Sequence, residues 1–257
     1  MNTPKMPSLP TSFTEQLRYL KLAHLGHHHA ALCAEAAAQR WSHAEFLRRV
    51  IAAEALERQQ HALVRRIKAA RFPVKKTLDQ FHWDWPRQIN EAQVRDLFEL
   101  RFVAERANAV FCGGVGLGKT HLASALGYAA CAAGHNVLFT SAVDAINTLV
   151  AAQAAHRLAA ELKRYLAPSL LIIDEVGYLP LDKAGADLLF QIVSQRYERG
   201  SIIVTTNKAY KHWPAIFHND AGITAAILDR LLHRAQTIVV EGTSYRMKDR
   251  RAEDATT

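Results

Sequence analysis

Apolar positions change their period along this chain of 257 residues, and the changes divide it. From Phe13 to Ala70 the spacing is helical. Phe13, Leu17 and Leu20 share one face, as do Phe46, Val50 and Ile51, and then Leu63, Val64 and Ile67. The stretch is alanine-rich, poor in glycine and free of proline. Ser42-His-Ala-Glu45 ahead of Phe46 is a capping box that starts a new helix, and Glu54 and Arg58 stand four apart to support it. Residues 1–70 therefore read as a small all-α N-terminal domain of two to four helices, its first dozen residues a loose lead-in carrying Pro4, Pro7 and Pro10. At Arg71-Phe-Pro-Val-Lys-Lys-Thr-Leu-Asp79 the helical period stops. Residues 71–108 read as a linker followed by a leading helix from Asn90 to about Glu105.

From Ala109 onward, residues 109–257 alternate short continuous apolar runs with helix-length stretches. The runs are Ala109–Cys112, Asn136–Thr140, Ser169–Asp174, Ser201–Thr205 and Gln236–Val240. Strands apolar on both faces, separated by helices, predict an α/β core with a parallel sheet covered on each side. Gly134 and Gly200 fall where helix C-caps belong, and Ser141-x-x-Asp144 marks a helix start.

The first of these strands leads into Gly113-Gly-Val-Gly-Leu-Gly-Lys-Thr120, which reads G-x-x-x-x-G-K-T, and a helix-forming run follows. Glycines let successive backbone N–H groups turn toward a phosphate without a Cβ in the way, and the next helix adds its positive end. Gly113, Gly114, Val115, Gly116, Leu117, Gly118, Lys119, Thr120 and His121 are thus the expected ATP-binding residues. Lys119 reaches the β- and γ-phosphates, and Thr120 offers its hydroxyl to Mg²⁺. The third strand ends in two acids. Asp174 is expected to hold the Mg²⁺, and Glu175 to polarise the attacking water. A buried strand ending in paired carboxylates without a cation is costly. The fourth strand runs into Asn207, read either as a γ-phosphate or water contact or as a turn residue. Arg230, on an apolar-faced helix, is open to two readings, a surface residue or an arginine finger, and Arg246 offers a further guanidinium.

Composition adds a partner. The net charge is +8, and it is uneven: residues 1–70 carry 10 Lys/Arg against 5 Asp/Glu, residues 71–110 carry 7 against 6, and residues 111–257 carry 15 against 13. A basic amino-terminal third suggests a polyanion, with nucleic acid first. Lys75, Lys76, Lys163, Arg164, Lys208 and Lys211 are further candidate contacts. Cys33, Cys112 and Cys131 form neither a disulfide framework nor a metal motif, and their apolar surroundings predict buried thiols. His27-His28-His29 has no partner at ligand spacing and reads as solvated surface. Phe81, Trp83 and Trp85 read as core, with adenine stacking as the alternative. With no signal-peptide core and no run of membrane-spanning length, a cytoplasmic protein is expected, with no membrane contact.

The order of loop, Asp-Glu strand, Thr205-Thr-Asn207 strand, Asp229-Arg-Leu-Leu-His233 helix and Ser244-Tyr-Arg246 end resembles AAA+ ATPases of the helicase-loader clade. More closely it resembles the IstB-like transposition helper ATPases of insertion sequences. Ser42-x-x-Glu-Phe-Leu47, Arg71-Phe-Pro73, Thr77-Leu-x-x-Phe81 and Gly118-Lys-Thr-His-Leu-Ala123 carry the likeness beyond the core, from about residue 13 to 248. Gly114-Val115 depart from the two prolines of many relatives. The resemblance implies a five-stranded parallel sheet with the Asn207 strand between those of the phosphate loop and Asp174, so that Asn207 faces the γ-phosphate. It also implies that Arg230 acts in a neighbouring subunit and that Arg246 is a second sensor. The implied activity is ATP hydrolysis by a homo-oligomer formed with ATP on duplex DNA, which recruits or stimulates a partner transposase. A replicative-helicase loader of the same clade is the alternative, and an ATP switch without turnover is a further one.

Overall fold

Polar caps open the helices where the hydrophobic pattern starts them. The side chains of Ser12, Ser42, Asn90, Ser141, Asp182 and Asp220 each accept the backbone N–H three residues on. The computed structural model describes residues 10–85 and 88–245, which fall into two units divided between Arg65 and Arg66. The first holds α1 (Phe13–Tyr19), α2 (Ala23–Ala38) and most of α3 (His43–Ala70). Glu54 of α3 is buried and turns to α2, which has no side-chain N-cap of its own. Its two oxygens accept from the N–H groups of Ala23 and Leu25, each at 3.2 Å. Glu54 thus does more than the expected pairing with Arg58, which stands 3.8 Å away. The apolar faces are only partly used. Leu17 and Val50 are buried, but Phe13, Leu20, Ile51 and Val64 are each more than half exposed, because short alanine-rich helices enclose little interior. For the same reason Cys33 of α2 is exposed, contrary to expectation. Cys131 is buried in the second unit, where burial pushes its thiol up to about 11.

The second unit, which starts with the end of α3, continues after a 3-10 turn at Leu78–Gln80 with α4 (Glu91–Phe98) and α5 (Arg101–Ala104). One helix was expected here. Leu100, in the left-handed region at φ 59°, breaks it in two. Then strand and helix alternate: β1 (Asn108–Gly113), α6 (Lys119–Ala132), β2 (Val137–Ser141), α7 (Ala142–Ala154), α8 (Leu158–Leu166), β3 (Leu170–Val176), α9 (Lys183–Arg196), β4 (Ser201–Thr206), α10 (Ala221–Leu232) and β5 (Ala235–Val240). The five strands form one parallel sheet in the order β2-β3-β4-β1-β5. Each expected strand is present, with its ends within two residues of those expected. Val110, Phe111, Leu171, Ile172 and Ile203 are fully buried, as a sheet covered on both faces requires.

The sheet's amino-terminal edge is tied by a cation. Arg196, 2% exposed, donates from Nη1 to the carbonyls of Tyr165 (2.8 Å), Pro168 (2.9 Å) and Leu166 (3.3 Å), and from Nη2 to those of Ser201 (2.7 Å) and Ser169 (3.1 Å). It satisfies the carboxyl end of α8 and the first residue of β4 together. Gly200 leaves it room: a Cβ there would stand 2.6 Å from Nη2. Burial pulls the guanidinium down to about 10, so it remains protonated at neutral pH. Arg196→Met fills the volume but strands several carbonyls. It is expected to lower the unfolding free energy by about 3 kcal/mol or more, read from the denaturant midpoint, with Arg196→Lys restoring part. A loss under about 1 kcal/mol contradicts this role.

Candidate functional site

The loop from Gly114 to Gly118 leaves the end of β1, which lies between β4 and β5, and enters α6. Gly116 (φ 75°) and Gly118 (φ 84°) take backbone conformations that side chains resist, and both are pressed from outside. The Ser244 side chain lies against Gly116, and a Cβ on Gly118 would stand 2.6 Å from the Phe81 ring. Lys119 Nζ lies over the loop and donates to the Gly114 carbonyl at 2.6 Å. The Thr120 hydroxyl donates to Asp174, 3.0 Å from Oδ1 and 3.1 Å from Oδ2. Loop, helix start and β3 therefore meet as the motifs predict.

Two acids in succession on a strand normally face opposite sides. Here a bulge changes that. β3 and β4 stay in register from Leu170↔Ser201 to Ile173↔Val204, then shift so that Val176 pairs with Thr206. Asp174 and Glu175 together face the single residue Thr205. Glu175 takes a left-handed φ of 61°. Asp174 is buried beside Thr120, whereas Glu175 is exposed and lines the cavity over the loop. The buried Thr205 hydroxyl donates to Asp174 Oδ1 and accepts the Glu175 N–H at 2.9 Å.

That cavity holds about 550 Å³, ample for a nucleotide. Lys119, Glu175, Thr206 and Asn207 line its floor. Asn207 Oδ1 is buried with no hydrogen-bond partner among the described residues, an orphan acceptor at the end of β4. The walls come from the linker and the last described residues. His82 stacks on Tyr245 at 5.6 Å and 10°, with Trp85 edge-on to Tyr245. Trp85 Nε1 donates to the Thr243 carbonyl at 2.9 Å, and the Tyr245 N–H donates to the Gly116 carbonyl at 2.9 Å. Phe81 is packed as core, edge-on to Trp83 and His121. His121 Nε2 is 2.9 Å from the Thr77 carbonyl, so His121 also ties α6 to the linker, and burial holds its pKa below the ordinary histidine value. Of these wall residues, His82 carries no sequence signal. Tyr245 and Thr205 fall inside the Ser244-Tyr-Arg246 and Thr205-Thr-Asn207 motifs, whose pattern gives neither of them a role.

Arg230 stands elsewhere. Its guanidinium lies 5.2 Å from the Phe190 ring, Nη1 donates to the Ala226 carbonyl at 2.9 Å, and it lines a second cavity of about 440 Å³ with Arg106, His233 and Arg234. Asn108 and Ile202 line that cavity too, which puts it at the amino ends of the strands. Thr206 and Asn207 mark the other end of β4, roughly 17 Å away at the rise of an extended strand. Arg230 therefore does not reach its own chain's phosphate loop. Arg246 lies outside the described residues. Among the described residues no helix is long and apolar enough to cross a membrane. Lys163, Lys208 and Lys211 are exposed, Arg164 pairs with Glu161 at 2.9 Å, and Lys75 sits 5.1 Å over the Tyr128 ring.

Comparison with known proteins agrees with this geometry. A family model described as IstB-like ATP binding protein matches residues 15–253. The ATP-binding protein of insertion sequence IS21 from Pseudomonas aeruginosa is 41% identical over 235 residues, spanning 91% of this chain and 88% of that protein. The ATP-binding protein of insertion sequence IS5376 from Geobacillus stearothermophilus is 37% identical over 225 residues, spanning 88% and 89%. Among solved structures, AMPPCP-bound DnaA from Aquifex aeolicus superposes with a TM-score of 0.57 at 20% identity, covering 73% of this chain and 57% of DnaA, a likeness that shows the AAA+ fold over part of that protein. The loop, the acids that face it and a family match over nearly the whole length lead to one statement: the chain belongs to the family of IstB-like ATP-binding proteins.

Proposed function

We propose that this AAA+ ATPase works in the cytoplasm, assembles as a homo-oligomer on duplex DNA when it holds ATP, and there recruits or stimulates a partner transposase. The bulge in β3 carries the ATP-driven part: it sets Asp174 against Thr120 and delivers Glu175 into the same cavity. The insertion-sequence relatives support transposition as the setting, and the net charge of +8 supports DNA as the surface.

ATP is the substrate. Backbone N–H groups of Gly114 to Thr120 and the Lys119 ammonium bind its β- and γ-phosphates. Thr120 and Asp174 bring oxygen atoms alone to within 3.1 Å of each other, a donor set that suits Mg²⁺, and they are the residues that would hold it. A Mg²⁺ held by these residues would supply neutralisation of charge on the β- and γ-oxygens. The Glu175 carboxylate, reaching into the cavity, accepts the proton of the attacking water. The Asn207 Oδ1, with no partner among the described residues, accepts from that water, or the amide N–H donates to the γ-phosphate. Arg230 acts on the ATP of a neighbouring copy, since its own lies at the far end of the sheet. Arg246 serves as a second cation at the phosphates.

DNA held by phosphate contacts releases counterions. Affinity for a duplex of arbitrary sequence, measured in ATP, is expected to fall about 10³-fold between roughly 50 and 200 mM salt. Binding that does not change with salt, or no binding in ATP, contradicts the DNA half of this proposal.

A further inference from the structure

Both acids on which the proposed hydrolysis rests are tied to one side chain that no motif assigns a role. Thr205 is 1% exposed, on a strand with neighbours on both sides, and its hydroxyl is fully engaged: the proton goes to Asp174 Oδ1, and the oxygen accepts the Glu175 N–H at 2.9 Å. The bulge makes both bonds possible. Where the register shifts between Ile173 and Val176, the Glu175 N–H is bonded to a side chain of β4 instead of joining the regular ladder. The bond also holds Glu175 at φ 61°, a left-handed conformation that a non-glycine residue resists. Thr120 is the other hydroxyl on Asp174, and it is itself assigned to the ion. Among the described residues, Thr205 is thus the hydroxyl that orients Asp174 without being a ligand. Its branched Cβ restricts χ1 and keeps the oxygen aimed.

We propose that Thr205 is a positioning residue for ATP hydrolysis. Its one hydroxyl fixes the direction of the Asp174 carboxylate and, through the backbone of Glu175, the place from which Glu175 meets water. This rests on the roles given above to Asp174 and Glu175, and the test separates the two. The full-length chain is prepared with Thr205→Val, Thr205→Cys or Thr205→Ser, and with Glu175→Gln beside them. ATP turnover is measured, together with ADP affinity in EDTA and in excess Mg²⁺.

Supporting groups behind metal ligands are worth about 10–100-fold. Valine and cysteine should lower turnover by that factor and remove a similar part of the affinity that Mg²⁺ adds, while serine keeps both within about threefold. ADP affinity in EDTA should stay parental throughout, since the loop is untouched. A valine or cysteine chain with parental turnover and parental Mg²⁺ gain overturns the proposal. Equal losses in serine, valine and cysteine overturn it too, because shape and not the hydroxyl would then matter. If valine fails to fold, cysteine decides; if neither folds, the hydroxyl serves the fold and the proposal falls. Parental turnover in Glu175→Gln removes the water-activating reading alone. The Mg²⁺ gain then still decides whether Thr205 holds Asp174.

Discussion

ATP bound to a Glu175→Gln chain is expected to stay largely unhydrolysed, and the protein to stay on DNA. Glutamine keeps the shape of the side chain and the backbone N–H that Thr205 accepts, so the bulge and its left-handed residue persist. What disappears is the carboxylate proposed to take the proton from water, a contribution of about 10²–10⁴ in rate for a positioned base. Lys119, Thr120 and Asp174 are unaltered, so ATP affinity should remain within a few-fold of the parent. Single-turnover hydrolysis and equilibrium binding of labelled ATP separate the two effects. Because hydrolysis is the step that ends the ATP-bound state, the variant should accumulate as a long-lived complex on duplex DNA. Hydrolysis at the parental rate would show that Glu175 does not activate the water.

Arg230→Ala is expected to bind ATP normally and hydrolyse it about 10³-fold or more slowly, the scale on which arginine fingers act. The protomer should fold, since among the described residues the side chain's hydrogen bond and ring contact are to one carbonyl and one aromatic face, together about 1–2 kcal/mol. Its distance from the phosphate loop of its own chain makes the loss a property of the assembly. Lys119→Ala, by contrast, damages the loop and should weaken binding and turnover together. In a mixture of the two variants an intact loop can meet an intact finger across one interface, and part of the activity should return. A surface arginine predicts no loss in the single variant. Mixtures that co-assemble without any recovery count against action across the interface.

The sequence displays the phosphate loop because the chemistry needs glycines and a lysine at fixed spacing, and it displays the strands because a sheet covered on both faces needs continuous apolar runs. Asp174 stands out for a related reason: a buried strand seldom ends in acids without a use for them. Other features depend on contacts between distant segments and leave no local trace. Leu100 has nothing in its side chain to announce a left-handed break. Arg196 looks like any surface arginine until five carbonyls are found around it. The bulge opposite Thr205 arises from pairing between β3 and β4, so neither strand shows it alone. In the first unit periodicity marks which residues share a face, but not whether enough chain exists to cover that face. Phe13 and Val64 are exposed for that reason.

Sedimentation of the full-length chain with a fluorescent duplex, once in ATP and once in ADP, tests most directly whether the nucleotide governs assembly on DNA. In ATP the duplex should travel with several copies of the chain, and in ADP it should sediment close to free DNA. The same species in both nucleotides, or a monomer on DNA in ATP, would contradict the account.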